Sequence, residues 1–161
     1  IGRTGTWFAW QGYDVKPDLF TCAKALGGGL PIGALVSNAK FADVFTASAH
    51  ASTFGGNPVC CAGALSILSR LNDELMAEVR EKGAYVKKAL EGQSGIESVT
   101  GLGLMLGIKT VKSASDVVAE CMKNGVLCLT AKDKVRLLPA LNIPMDVLKK
   151  AVEVIKAACA L

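Results

Sequence analysis

Charge is spread so unevenly along this 161-residue chain that its two parts cannot fold by the same means. Residues 1–63 carry 7 charged groups and 10 of the 17 glycines, whereas residues 64–161 carry 25 charged groups. A stretch so poor in charge has little with which to solvate a surface of its own. It reads as strands and glycine loops packed on other protein or curled around a ligand. The second part reads as a self-contained α+β unit with solvated helix faces. Hydrophobic residues make up 51% of the chain, which excludes disorder. No run of 18 uninterrupted apolar residues occurs, so no membrane partner is expected. The net charge of +4 includes no basic run interleaved with aromatics. A nucleic-acid partner is therefore not expected, while an acidic small ligand stays compatible.

The six cysteines at 22, 60, 61, 121, 128 and 159 form no CxxC pair, and His50 is the only histidine. That pattern argues against a metal site and for reduced thiols in a cytoplasmic protein. No signal-peptide pattern is seen. The opening at Ile1, directly into Gly2-Arg3-Thr4-Gly5, reads as the inside of a longer protein.

The element pattern follows from periodicity and punctuation. Leu19 to Ala23 is an apolar run of buried-strand type, and Ala34-Leu35-Val36 is a second. Asn57-Pro58 predicts a helix start, with Asn as cap and Pro at the first helical position, running to about Leu71. Another helix begins at Asn72-Asp73, with Leu75, Val79, Val86 and Leu90 on one face and Gly92 at its end. Residues 96–109 are strand-like but broken by Gly101, Gly103 and Gly107, a spacing unlike a dinucleotide fingerprint. A short helix over 115–124 is followed by strands over 126–129 and 135–138. The last helix opens at Pro144, with Val147, Leu148, Ala151, Val154, Ile155 and Ala158 inward.

Two places could carry chemistry. Lys24 ends an apolar strand and enters a triple-glycine loop, Gly27-Gly28-Gly29. A lysine held there beside open backbone suits Schiff-base chemistry, because a desolvated amine loses its proton readily and becomes nucleophilic. The alternative is a solvated lysine at a strand end. The second place is Ser52-Thr53-Phe54-Gly55-Gly56-Asn57-Pro58, where two hydroxyls and a glycine pair precede a helix N-terminus. Free N–H groups and the helix dipole there would favour a phosphate, the alternative being a plain capping loop.

Together these segments resemble a known family. Residues Ala23 to Ala34 closely resemble the cofactor-lysine segment of the class III (ornithine-type) pyridoxal-phosphate aminotransferases, and His50 to Pro58 resembles their phosphate-contacting segment. Gly2-Arg3-Thr4-Gly5 is similar to the turn after the cofactor-ring strand, and Val135-Arg136-Leu137-Leu138-Pro139 to the segment bearing the substrate arginine. The resemblance implies an α/β fold over residues 1–72, the end of a pyridoxal-phosphate transferase type I large domain. Residues 73–161 would then form a small C-terminal α+β domain. It implies that Lys24 binds pyridoxal 5'-phosphate covalently and shuttles protons, and that Ser52 and Thr53 hold the phosphate across a homodimer interface. Arg136 would grip a substrate carboxylate, unless it serves a structural ion pair.

The family's acidic partner of the pyridine nitrogen would lie before Ile1, so the chain reads as the C-terminal portion of such an enzyme. Ala51 and Ala140 stand where the family commonly has glycine and proline. The Arg136–Leu141 segment is most similar to the arginine-synthesis branch, which implies amino transfer between an N-acetylornithine-like donor and 2-oxoglutarate. Ornithine, succinylornithine or 4-aminobutyrate as donor, a semialdehyde aminomutase, and a non-catalytic dimerisation or folding module remain the alternatives.

Overall fold

The computed structural model describes residues 1–160. The chain divides into two compact units, both of mixed α and β structure. The first holds Phe8–Asn72; the second holds Asp73 onward together with the early segment Gly2–Trp7.

In the first unit, β1 (Leu19–Cys22) and β2 (Ala34–Ser37) pair antiparallel, with Cys22 opposite Ala34 and Leu19 opposite Ser37. Phe20 on β1 meets Phe8 at 4.7 Å and Trp10 at 6.2 Å between ring centroids. Helix α1 (Pro58–Leu68) packs on the turn that follows β1. Gly63 allows that approach, because a Cβ there would lie 2.6 Å from Leu30 Cδ1 and 3.3 Å from the Gly27 carbonyl. The strands expected as buried are not: β1 alternates between exposed and half-buried, and β2 is half-buried only at Ala34 and exposed from Leu35 to Ser37. Leu35 is 53% exposed and Phe54 is 80% exposed, and only Leu26, Ala64 and Leu71 are buried apolar residues in this unit among those described.

The second unit has a closed core. Helix α2 (Asp73–Leu90) places Asp73 and Glu74 in its first turn and Lys87 and Lys88 in its last, each sign opposing the helix dipole. Its buried stripe is Met76, Val79, Val86 and Leu90, with Gly83 between; the expected Leu75 is only half-buried. The glycine-broken stretch folds as a hairpin of β3 (Ile96–Leu102) and β4 (Met105–Thr110). Helix α3 (Ala114–Lys123) starts where the Ser113 hydroxyl accepts the Asp116 N–H, at 3.2 Å.

Strands β5 (Leu129–Ala131) and β6 (Lys134–Leu137) complete an antiparallel sheet in the order β3-β4-β6-β5. The strand expected over 126–129 therefore starts only at Leu129. Val126 instead returns its N–H to the Cys121 carbonyl at the end of α3, which keeps 126–128 out of the ladder. Helix α4 (Met145–Cys159) buries Leu148, Val152, Ile155, Ala158 and Cys159. The expected inward Val147 is 45% exposed and Val152 takes its place, because the buried stripe follows the 148, 152, 155, 159 spacing. Helix α1 also stops at Leu68, three residues before the expected Leu71.

Helices α2, α3 and α4 share one core with the sheet, built on Leu90, Ile108, Val117, Val135, Val152 and Ile155. Cys121, Cys128 and Cys159 belong to this core as free thiols, and burial pushes Cys128 up to about 12 and Cys159 to about 11. They are packing residues at neutral pH rather than nucleophiles. No helix is long and apolar enough to cross a membrane, and no cluster suited to a metal ion occurs among the described residues.

The contrast in burial is measurable. Leu90→Ala should cost about 2–5 kcal/mol in denaturant unfolding of this chain, from lost burial and the cavity left behind. Leu127→Ala, at a side chain 83% exposed, should change stability by no more than about 0.5 kcal/mol.

Candidate active site

Lys24 sits just past the end of β1. Ala23 is fully extended, and the chain then turns sharply, with Lys24 at φ +55° and a single 3-10 turn over Lys24–Gly27. Left-handed backbone at a residue with a Cβ costs of order 1–3 kcal/mol and persists only where the surroundings enforce it. Here the Leu26 N–H bonds to the Ala23 carbonyl at 3.2 Å, and the Gly28 N–H to the Ala25 carbonyl at 3.2 Å. The β1–β2 register fixes Cys22 on one side of the turn and Ala34 on the other. The side chain is exposed, and its amine has no hydrogen bond or ion pair among the described residues.

Ser52 and Thr53 lie in an exposed loop of the same unit, and neither hydroxyl has a partner among the described residues. The loop is closed by Gly55 N–H to Ser52 carbonyl at 3.3 Å and by Asn57 N–H to Phe54 carbonyl at 3.2 Å. One expectation is corrected here. The first-turn donors of α1 are not free for an anion, because the Asn57 side chain accepts Val59 N–H at 3.0 Å and Cys60 N–H at 3.2 Å. Pro58 has no N–H, and Cys61 N–H already bonds the Asn57 carbonyl at 2.9 Å. An anion at this loop would be met by the two hydroxyls and by loop amides, not by the helix terminus.

Arg136 belongs to the second unit, on β6 between β4 and β5, opposite Gly107 and Leu129. Alternation along β6 sends Val135 and Leu137 into the helix-covered core, while Lys134 and Arg136 are half-buried on the other face. The neighbouring cations are satisfied. Lys134 Nζ donates to Thr100 Oγ1 at 3.0 Å, and Lys109 pairs with Asp133. That hydrogen bond and charge hold the Asp133 carboxyl below the usual range. Arg136 differs, since its Nε is buried without a hydrogen-bond partner and no carboxylate lies within ion-pair distance among the described residues. The structural ion pair considered for it is absent among those residues. A buried guanidinium N–H without an acceptor is costly unless a ligand supplies one.

Sequence reasoning gave Arg3 no role of its own, yet its guanidinium is half-buried and bonded only to backbone carbonyls. Burial lowers its pKa from the ordinary arginine value. The available signal was a cation inside a Gly-x-x-Gly turn with no acid nearby in sequence.

The aminotransferase class-III family profile matches residues 1–159. Among curated relatives, the acetylornithine aminotransferase of Haemophilus ducreyi is 46% identical over 157 residues, covering 96% of this chain and 40% of that protein. The acetylornithine aminotransferase of Lactococcus lactis is 40% identical, covering 97% of this chain and 43% of that protein. Among solved structures, an ornithine aminotransferase from Toxoplasma gondii superposes with a TM-score of 0.90 at 30% identity, covering 98% of this chain and 40% of that one. The acetylornithine aminotransferase from Elizabethkingia anophelis gives 0.88 at 32% identity, covering 98% and 42%. The chain thus spans about 40% of the length of the relatives it matches.

The capping geometry yields a separate expectation. Asn57→Ala should lower stability by about 1 kcal/mol and fray the first turn of α1, read by denaturant unfolding and amide exchange at Val59 and Cys60.

Proposed function

This chain belongs to the class-III aminotransferase family, and from that premise we propose that it is the lysine-bearing portion of an acetylornithine aminotransferase. The proposed reaction moves an amino group from an N-acetylornithine-like donor to 2-oxoglutarate, in a cytoplasmic homodimer serving arginine synthesis. The carrying observation is Lys24, an unpartnered amine on a strained left-handed backbone at a strand end. The names of the curated relatives favour the acetylated donor. Ornithine as donor is the second reading, supported by the equally good superposition of ornithine aminotransferases.

Aminotransferases of this class depend on pyridoxal 5'-phosphate. The residues present fit its two ends: a free amine suits an aldehyde, and two unpartnered hydroxyls at Ser52 and Thr53 suit a phosphate. When bound, the cofactor supplies an electron sink for the pair released at the amino-bearing carbon of the substrate.

The chain's own residues do the remaining work. Lys24 Nζ is the atom that would hold the cofactor's aldehyde carbon and, once freed, take and return the proton at the substrate carbon. The strained turn fixes where that atom starts from. Ser52 and Thr53 would donate to phosphate oxygens, in our reading those of the partner subunit's cofactor. The exposed apolar side chains of the first unit, Leu35 and Phe54 among them, are consistent with cover by further protein. Arg136 offers a planar fork to a substrate carboxylate, which would give its orphaned Nε an acceptor.

Borohydride reduction of the full-length protein loaded with pyridoxal phosphate should fix the cofactor's mass on the peptide containing Lys24. A label on Lys16 or Lys40 instead would refute the assignment. Lys24→Ala should abolish both label and transamination while leaving the fold intact. Thr53→Val should keep the label but weaken cofactor retention by roughly tenfold to a hundredfold, the loss of one hydrogen bond to a charged acceptor, about 1.5–3 kcal/mol.

A further inference from the structure

The end of β6 poses a problem in backbone hydrogen bonding. Leu106 on β4 pairs with Leu137 on β6, so continuing the register places Leu104 opposite Pro139. Proline has no N–H, and the ladder cannot extend to that pair by backbone bonds alone. The guanidinium of Arg3 stands in for the missing rung. Its Nη1 donates both to the Leu104 carbonyl, at 3.3 Å, and to the Pro139 carbonyl. The Leu104 N–H in turn donates to the Arg3 carbonyl at 3.0 Å, so side chain and backbone of Arg3 grip the same turn.

Arg3 itself is firmly seated. The Gly2 N–H bonds the Trp7 carbonyl at 3.0 Å, Gly5 N–H bonds the Gly2 carbonyl at 3.1 Å, and Arg80 on α2 donates to the Gly5 carbonyl. Gly103, at φ +52°, lets the β3–β4 turn lie against this segment; a Cβ there would be 2.7 Å from the Arg3 carbonyl oxygen. Farther along the same exit, Lys82 is 5% exposed and reaches the Leu141 carbonyl at 3.4 Å while pairing with Glu78 at 2.7 Å. Two cations thus hold carbonyls of the segment that leaves β6, and neither contacts Arg136. Pro139 lies three residues beyond Arg136, and Leu104 lies three residues before Gly107, the residue opposite Arg136.

We infer that Arg3 is a positioning residue for Arg136: by bridging the Leu104 and Pro139 carbonyls it fixes the strand ends that aim the Arg136 guanidinium at a substrate carboxylate. This rests on the carboxylate role proposed for Arg136. Both bonds come from one nitrogen, Nη1, so a lysine ammonium that reached the same point could make them in part, whereas an apolar side chain could make neither.

The test uses the full-length holoenzyme with 2-oxoglutarate as the varied substrate. Kinetics and thermal unfolding are compared for Arg136→Lys, Arg3→Met, Arg3→Lys and each Arg3 change combined with Arg136→Lys. Arg3→Met is expected to raise KM about tenfold with kcat within about twofold, and Arg3→Lys to recover part of that loss. In the Arg136→Lys background, removing Arg3 should add less than about twofold, since the group it aims is already altered. If Arg3→Met does not fold, Arg3→Lys carries the same cycle. Effects of Arg3 and Arg136 that multiply independently, or a fall in kcat at unchanged KM, would overturn the inference and leave Arg3 a stabilising residue alone. A wild-type KM for Arg136→Lys would overturn the carboxylate reading of Arg136, and the inference with it.

Discussion

The two-residue alternation along β6 is the constraint on which the second unit depends. Val135 is fully buried and Leu137 nearly so, and both face the layer made by α2, α3 and α4. Because side chains alternate, the same four residues must turn Lys134 and Arg136 to the opposite face. A one-residue slip would drive an arginine into an apolar core, where an unpaired charge is prohibitively costly. The pairing with β4 and β5 on either side therefore fixes Arg136 on an inner strand of the sheet. Its orphaned Nε is the residue of that arrangement: the fold positions a guanidinium and leaves the acceptor to something else.

The first unit works by a different principle. It has few buried apolar side chains and little charge, and its order comes from local backbone closure. The β1–β2 pair, the 3-10 turn at Lys24 and the seat of α1 against Leu30 and Gly27 are its main devices. That is enough to hold one lysine at φ +55°, a conformation that relaxes if the turn opens. Its exposed apolar side chains are what a glycine-rich ligand-binding segment would present before cover by further protein.

Much of this was legible in the sequence because the signals were local. Lys24 stood out through the triple glycine after an apolar run, and Asn57-Pro58 marked a helix start that the side-chain cap then made. What was not legible depended on residues far apart. Val126 joins the end of α3 rather than a strand because of a bond back to Cys121, and Val147 gives way to Val152 because only the packed core fixes the helix face. Asn57 consumes the very N–H groups that the loop before α1 was expected to offer. The segment Gly2–Trp7 precedes the first unit in sequence yet packs in the second, so the Gly-x-x-Gly turn marked Arg3 as a cation without a nearby acid but could not name the carbonyl 136 residues away that it reaches.

The central claim is that the unit carrying Arg136 is self-sufficient, whereas the unit carrying Lys24 relies on cover from outside this chain. Amide hydrogen exchange on the 161-residue chain tests it most directly, since protection reports the free energy of opening segment by segment. Strong protection is expected in α2, β4, β6 and α4, together with fast exchange across residues 13–56. Equal protection of both units in the isolated chain would contradict the claim.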